Sequence, residues 1–272
     1  MQGAILGVES LSKMGYLVLR GYAGKSEMSL WAENLEVIHN NHWSDRQLAS
    51  KAAPIGIQNS IKDDRIINNL MLYGDVYTNL ATEGAHLDVI GALLDDSFYH
   101  CIPASDHNFI LSQLNARDGR TALPFHVDVR LQIGSKKTWS LQCLLSVDKL
   151  TEDNGALRVR PGSHMFDRMP NSRIDYSDSI VIPTDPGDLI IFYSNLHHAT
   201  CSCNIKKRAW TILMTYRSWW CKQQFDIWGM MQSMGRVKHL TNQQKLLLGA
   251  CSVPSLDPHS SSSLRVGYEI FG

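Results

Sequence analysis

The stretch TALPFHVDVRLQIG at residues 121–134 is rich in β-branched and aromatic residues, which predicts a strand. It places His126 and Asp128 two positions apart. Side chains at positions i and i+2 of a strand point to the same face, so an imidazole nitrogen and a carboxylate oxygen converge on one point. This pair supplies two ligands of a candidate metal site.

A second stretch, GDLIIFYSNLHHATCSCNIKKRAWTILMTY at residues 187–216, contains two strand-like runs around a turn that carries His197 and His198. Either histidine would complete a set of two histidines and one carboxylate, which is the donor set of non-haem iron(II) oxygenases. Neighbours on a strand point to opposite faces, so only one of them can be the third ligand. Arg208 follows ten residues after His198 and suits a two-pronged hydrogen bond to a carboxylate.

A third stretch, TEDNGALRVRPGSHM at residues 151–165, lies between the other two and completes a family pattern. With these motifs in this order, the chain resembles the phytanoyl-CoA dioxygenase type of iron(II)- and 2-oxoglutarate-dependent oxygenases. The resemblance extends over residues 108–218, and YRSWWCKQQFD at residues 216–226 is similar to the C-terminal tail of many members. The matching motifs are HVD at 126–128, NGALRVRPGSH at 154–164, GDLIIF at 187–192, a histidine at 197 or 198, and Arg208.

The resemblance implies a function for individual residues. It implies that His126, Asp128 and His198 bind Fe(II) and form the catalytic centre, and it favours His198 over His197 as the third ligand. It further implies that Arg208 binds the far carboxylate of 2-oxoglutarate, with O2 as the second cosubstrate. The expected reaction hydroxylates or otherwise oxidises an unactivated C–H bond and releases succinate and CO2. Halogenating relatives tend to have a small residue where this chain has Asp128, which favours hydroxylation.

Two glutamines and one arginine complete the predicted site. Gln113 and Gln142 are polar residues in apolar strands, where burial is costly without hydrogen-bond partners, so we predict that they bind cosubstrate or substrate, although a side chain facing water would explain either residue equally well. Gln113 ranks first because the resembled family commonly lines the cosubstrate pocket at that position. Arg130, two beyond Asp128, is predicted to bind an anionic substrate, although an exposed strand charge explains it equally well.

The choice of substrate is not determined by these motifs. The family acts on acyl thioesters, amino acids, compatible solutes and natural-product intermediates, and we expect a small molecule of specialised metabolism. Residues 42–60, 73–86 and 165–180 are the candidate substrate contacts. By contrast, NGALRVRPGSH is assigned to structure, since Asn-Gly and Pro-Gly form turns.

Hydrophobic periodicity predicts one domain that is mainly β with flanking α-helices. A helical N-terminal part (1–107) precedes a core of short strands (108–218) and a helical tail (219–272). Helices are expected at 3–14, 26–39, 61–73, 85–99, 223–234 and 241–250, and a short strand at 16–19. The second helix is expected to begin at Ser26 as its cap and to turn Leu30, Leu35, Val37 and Ile38 toward the core. Through the resemblance, the core is expected to be a double-stranded β-helix, the jelly-roll of cupin-like proteins.

Composition narrows the class of protein. Lys plus Arg and Asp plus Glu both number 26, and no long basic run is present, which argues against a nucleic-acid partner. No apolar run approaches the eighteen or so residues of a membrane span. Six cysteines show no paired framework, so we expect a cytoplasmic protein without membrane association, as a monomer or homodimer.

Three alternatives stay open at this point. Cys201 and Cys203 beside the histidine pair would suit a mixed zinc site, although four ligands within so short a stretch would crowd one ion. A ligand-binding sensor on the same barrel would not turn over. A metal-dependent isomerase or hydrolase on this type of barrel would not need Arg208.

Overall fold

The computed structural model describes residues 2–41, 65–97, 106–119, 122–129, 138–171, 173–203 and 209–252. Within these ranges two antiparallel sheets form the centre of the molecule. In the described residues the larger sheet has six strands and the smaller sheet has three. The predicted mainly-β jelly-roll class is confirmed.

The strands range from three to nine residues. Those of the larger sheet are β1 (Tyr16–Leu19), β2 (Arg65–Ile67), β3 (Ile110–Asp118), β4 (Ser140–Ser146), β7 (Leu189–Tyr193) and β9 (Thr211–Arg217). Those of the smaller sheet are β5 (Leu157–Val159), β6 (Ile180–Ile182) and β8 (His198–Thr200). The larger sheet has the order β1-β7-β4-β9-β3-β2 and the smaller sheet the order β6-β5-β8.

Helices lie before and after the strand-rich part. They are α1 (Gln2–Met14), α2 (Lys25–Asn41), α3 (Asp75–Thr82), α4 (His86–Leu94), α5 (Ile227–Ser233) and α6 (Asn242–Leu247). Four 3-10 turns accompany them, at Leu70–Tyr73, Ser163–Met165, Arg236–His239 and Ala250–Ser252. In the part of the chain with described coordinates, no helix is both long and apolar enough to cross a bilayer.

The N-terminal part is less purely helical than its sequence predicts. β1 pairs with β7 and β2 pairs with β3, so this part supplies both edge strands of the larger sheet. The helix predicted at 61–73 is wrong where it can be compared, because Arg65–Ile67 is a strand and a 3-10 turn follows. Pairing with β3 overrides the local helical spacing, as tertiary contacts often override propensity. The sequence patterns do not predict helix α3.

Helix α2 packs on the core with only part of the predicted face. Leu35 and Ile38 are buried as predicted, but Leu30 and Val37 are 66% and 58% exposed. Met28 and Trp31 join Leu35 in the buried stripe, whose spacing of three and four residues follows one face of a helix. The helix begins at Lys25, so Ser26 lies within it rather than at its cap.

The GDLIIF motif attaches the first loop to the main sheet. Gly187 has φ +89°, and a Cβ there would lie 2.1 Å from the carbonyl oxygen of Ala23, so only glycine fits. Asp188 accepts hydrogen bonds from the backbone N–H groups of Gly21 and Asp185 and from the Arg20 guanidinium. Burial acts to raise the pKa of Asp188, but these donors hold it below its usual value. The motif therefore has a structural role.

A buried chain of hydrogen bonds joins helix α4 to strand β9. Tyr22 Oη lies 2.7 Å from His86 Nδ1, and His86 Nε2 lies 2.9 Å from Tyr216 Oη. Tyr216 in turn donates to the carbonyl of Ala81 at 2.8 Å. Because the Tyr216 hydroxyl donates its own proton to Ala81, it can only accept from His86, so His86 Nε2 carries a proton. His86 Nδ1 then accepts the hydroxyl proton of Tyr22, and the imidazole is neutral. Burial lowers the pKa of His86 to about 4.

We predict that His86 makes the fold less stable in acid. Between pH 6.5 and 4 the unfolded imidazole binds a proton that the folded one does not, so the free energy of unfolding falls as pH decreases through this range. The slope from this residue approaches about 1.4 kcal/mol per pH unit. Urea unfolding at several pH values should show a shallower slope for His86→Leu.

The matched control is Tyr22→Phe, which keeps the buried imidazole and is expected to keep the slope. A residual slope in His86→Leu is expected from the other buried imidazoles with lowered pKa, His164, His197 and His198. An unchanged slope in His86→Leu would contradict the assignment.

Candidate metal centre

His126 and His198 are held opposite each other by backbone hydrogen bonds. The His126 N–H donates to the His198 carbonyl at 2.8 Å, and the His198 N–H donates to the His126 carbonyl at 3.0 Å. Directly opposed residues of an antiparallel pair project their side chains to the same side. The two rings accordingly lie 4.2 Å apart between centroids.

The segment that carries His126 is not the regular strand predicted from residues 121–134. Within residues 122–129 the only strand-like pairing is the single bridge to His198. Residues 130–134, and with them Arg130, lie outside the described residues. Asp128 is held separately, because its N–H donates to the Ser194 carbonyl at 2.8 Å.

Three potential metal ligands converge at this point. The ligand atoms of His126, Asp128 and His198 all lie within 4.8 Å of one another. Asp128 Oδ2 lies 3.6 Å from His198 Nε2, and Asp128 Oδ1 lies 3.8 Å from His126 Nε2. No other cluster of this kind occurs among the residues with described positions.

Hydrogen bonds determine which nitrogen of each imidazole faces the cluster. His126 Nδ1 donates to the Pro124 carbonyl at 2.8 Å, and His198 Nδ1 donates to the Leu196 carbonyl at 2.9 Å. A carbonyl can only accept, so Nδ1 carries the proton and Nε2 keeps its lone pair. Phe192 packs edge-on against the His198 ring at 5.1 Å between centroids. Both rings are therefore oriented as metal ligands, in the way that outer hydrogen bonds typically orient them.

Burial differs among the three ligands. His198 is 4% exposed, and burial lowers its pKa although Asp128 nearby opposes the shift. The side chains of His126 and Asp128 are about one third exposed. The site thus has a buried side and an open side, which suits a metal that must exchange ligands.

His197 faces away from the cluster. Its Nε2 donates to the Arg168 carbonyl at 3.0 Å, and its backbone N–H donates to the Ser163 hydroxyl at 2.9 Å. The structure therefore brings His198, and not His197, to Asp128. Cys201 and Cys203 are not in the cluster either, so the described residues do not form the zinc site considered from sequence.

A cavity of about 150 Å³ adjoins the three ligands and lies between the two sheets. Leucine side chains and Phe192 form much of its wall. Its polar lining residues are Arg117, Asn154, Thr200, Cys201 and Thr211. Sequence reasoning did not select Arg117, Thr200 or Thr211, although strand alternation from Gln113 and His198 places Arg117 and Thr200 on the same faces.

Of the three residues predicted to bind cosubstrate, two are absent from the cavity wall and one lies outside the described residues. Gln142 is 3% exposed and does not line the cavity; its amide bonds to Thr215 and Ser194. Gln113 pairs with Thr215 across β3 and β9 and is also absent from the cavity wall. Arg208 lies outside the described residues.

The three segments predicted to contact substrate differ in where they lie. Residues 42–60 lie outside the described residues, and 73–86 mostly form helix α3. In the 165–180 segment Tyr176 stacks on Phe125, with ring centroids 3.8 Å apart. Phe125 directly precedes His126 in the chain. Of these segments, 165–180 is thus placed beside a ligand. The NGALRVRPGSH motif contributes to both structure and cavity: His164 Nε2 donates to the Ser12 carbonyl of α1 at 3.0 Å, whereas Asn154 lines the cavity.

Comparison with known proteins assigns this geometry to a family. The family profile described as Phytanoyl-CoA dioxygenase (PhyH) matches residues 11–202, so the resemblance read from the motifs is confirmed. The dioxygenase trt7 of Aspergillus terreus is 33% identical over 92 residues, 31% of this chain. That alignment spans 32% of the relative's own length.

Solved structures show the same fold at low sequence identity. HygX from Streptomyces hygroscopicus, with nickel and 2-oxoglutarate bound, has a TM-score of 0.60 at 14% identity, covering 80% of this chain and 88% of that one. EctD from S. alaskensis, with bound Fe, has a TM-score of 0.57 at 18% identity, covering 78% and 75%. The epimerase SnoN, with Fe3+, alpha ketoglutarate and nogalamycin RO, has a TM-score of 0.55 at 14% identity, covering 80% and 85%. At the level of the family, the prediction of a dioxygenase is confirmed.

We predict that His198→Ala removes metal binding whereas His197→Gln keeps it. His198 supplies a ligand atom, so its loss should weaken Fe(II) affinity by more than the roughly 10–100-fold typical of losing an outer hydrogen-bond partner. His197→Gln retains an N–H donor for the Arg168 carbonyl. Anaerobic titration with Fe(II) measures both affinities, and equal losses in the two variants would reverse the assignment.

Proposed function

The chain belongs to the phytanoyl-CoA dioxygenase family, and from this we propose that it oxidises a C–H bond of a small-molecule substrate with Fe(II), 2-oxoglutarate and O2. The balanced reaction converts 2-oxoglutarate, O2 and R–H to succinate, CO2 and R–OH. The observation that carries the proposal is the convergence of His126, Asp128 and His198 beside a cavity, with both Nε2 lone pairs facing inward.

The donor set of the site fits iron(II). Two neutral imidazoles and one carboxylate leave coordination positions open for a cosubstrate and O2, the arrangement typical of non-haem iron oxygenases. Bound there, iron(II) supplies O2 activation coupled to the oxidative decarboxylation of 2-oxoglutarate. His126 and His198 hold the metal through Nε2, while their Nδ1 protons remain on backbone carbonyls. Asp128 contributes the negative charge that favours a divalent cation.

The cavity is proposed to hold the cosubstrate. Leu144, Leu157 and Leu213 from both sheets give it an apolar wall beside the metal centre, and such a wall favours the exclusion of water once the cosubstrate is bound. Arg117 and Thr211 supply polar groups within this apolar wall. Arg208 is proposed, from the family motif, to bind the far carboxylate of 2-oxoglutarate.

The proposal also covers the substrate class, the cellular location and the oligomeric state. The substrate is proposed to be a small molecule of specialised metabolism, in keeping with HygX, one structure of which holds hygromycin B. We also propose that the protein acts in the cytoplasm, as a single domain that is a monomer or homodimer. Gln113 and Arg130 stay candidate contacts for cosubstrate and substrate.

A second outcome at the same site is epimerisation. It is considered because SnoN, which shares the fold, is described as an epimerase that depends on alpha ketoglutarate. Hydroxylation adds one oxygen atom to the substrate, whereas epimerisation leaves its mass unchanged. A sensor, an isomerase or a hydrolase that does not use 2-oxoglutarate would release no succinate.

We predict that purified protein with Fe(II), 2-oxoglutarate and O2 releases succinate, and that a substrate library identifies compounds that accelerate the release. Asp128→Ala should abolish it because a neutral methyl group replaces a ligand. Mass spectrometry with 18O2 then separates hydroxylation from epimerisation. If no compound or condition yields succinate from protein that binds iron, the oxygenase proposal fails.

We further predict that Arg208→Ala weakens 2-oxoglutarate binding far more than Fe(II) binding. Loss of a charge-assisted, two-pronged hydrogen bond removes about 2–3 kcal/mol, a decrease in affinity of about 30–150-fold. Lys207→Ala is the matched control, because it removes one positive charge from the adjacent position. Titrations of each ligand test this, and equal losses of iron and cosubstrate affinity in Arg208→Ala would contradict the role.

A further inference from the structure

A chain of buried polar side chains runs across the larger sheet beside the metal centre. Thr215 on β9 donates from Oγ1 to Gln142 Oε1 at 2.6 Å. Gln142 on β4 donates from Nε2 to Ser194 Oγ at 3.3 Å, and the hydroxyls of Ser194 and Ser140 lie 2.7 Å apart. All four side chains are buried. Such a network is costly to form in an apolar interior and rigid once its groups are paired.

Ser194 connects this network to the carboxylate ligand. It comes directly after β7, and its carbonyl accepts the N–H groups of Asp128 at 2.8 Å and of Val129 at 3.3 Å. Asp128 lies in no regular strand, so the sheet does not hold it through a ladder of its own. The position of its backbone therefore depends on where the Ser194 carbonyl points.

Gln142 restrains Ser194 from the side-chain end. The Ser194 N–H also donates to the Ser140 carbonyl at 3.3 Å, so Ser194 is held on both sides of its Cα. Without the Gln142 amide, the Ser194 hydroxyl would keep only its hydrogen bond to the Ser140 hydroxyl. The turn that follows β7 would then gain freedom to rotate. That rotation would move Asp128 relative to His126 and His198.

We propose that Gln142 is a positioning residue: through Ser194 it fixes the backbone of Asp128 and thereby the geometry of the metal centre. The inference rests on the proposed metal site and replaces the cosubstrate role that the sequence predicted for Gln142. The two roles differ in what the residue controls. A cosubstrate contact governs 2-oxoglutarate affinity, whereas a positioning residue governs metal affinity and metal geometry.

The test uses Gln142→Met, which keeps the volume of the side chain and removes both hydrogen bonds. Co(II) is the probe, because it binds such sites more tightly than Fe(II) and its absorption spectrum reports ligand geometry. The Co(II) dissociation constant is expected to rise by about 10–100-fold, the usual effect of losing an outer partner of a ligand. The d–d absorption bands should change shape at saturating metal, whereas 2-oxoglutarate affinity at saturating Co(II) should be little altered.

Two further variants keep the result interpretable. Ser194→Ala is expected to cause a similar loss that is not additive with Gln142→Met, because both act through one chain of contacts. Ser146→Ala is the control: it removes a buried hydrogen bond to Thr184, 2.6 Å long, on the same strand but away from Asp128. It should lower thermal stability with no change in Co(II) affinity or spectrum.

The outcomes separate this inference from the proposed function. Unchanged Co(II) affinity and spectrum in Gln142→Met, with weakened 2-oxoglutarate binding, would overturn the positioning role and restore the cosubstrate role. An equal loss of Co(II) affinity in Ser146→Ala would overturn it in favour of general loosening of the strand. Failure of the unaltered protein to bind Co(II) would overturn the proposed function, and this inference with it.

Discussion

The reciprocal backbone hydrogen bonds between His126 and His198 are the constraint on which the centre depends. They join two segments that are about seventy residues apart in the chain but directly opposed in space. Because the bonds are between backbone groups, they set the spacing of the two imidazoles whatever metal is bound. The 194–198 segment reaches all three ligands, since its Ser194 carbonyl holds Asp128 and its Leu196 carbonyl orients the His198 ring. A preorganised set of ligands of this kind loses little freedom when a metal binds.

The surrounding motifs serve this constraint by fixing the ends of β7 and the turn before β8. Gly187 and Asp188 attach the start of β7 to the loop after β1. At the other end, the Ser163 hydroxyl accepts the N–H of His197, and the Arg160 N–H donates to the His197 carbonyl. The family motifs thus include many residues that are not among the metal ligands. Their common physical role is to leave the segment between β7 and β8 a single conformation.

Polarity is distributed unevenly around the centre. Five leucines and Phe192 supply much of the cavity wall, and Arg117, Thr200 and Thr211 also line it, whereas Thr215, Gln142 and Ser194 bond to one another and are not among the lining residues. Buried hydrogen-bonded side chains can therefore stabilise a ligand's backbone without competing for the cosubstrate. This division explains why a polar residue in an apolar strand is an ambiguous signal in sequence. Burial predicts that Gln142 has partners, but it does not say whether they belong to the protein or to a ligand.

The amino-acid sequence was enough to recognise the family and to predict the types and order of the metal ligands, because HVD, the paired histidines and the intervening turn motifs are local patterns that few other proteins combine. It also predicted the β-rich core and helices α1 and α4, whose periodicity is strong. The pairing of residues across the sheets follows from contacts in the folded chain and not from local patterns. The tertiary structure made Arg65–Ile67 an edge strand, turned Leu30 and Val37 outward, and reduced the predicted strand around His126 to one bridge. The physical reason is that helix phase, edge pairing and the partner of a buried amide are set by contacts between distant segments, which no local spacing records.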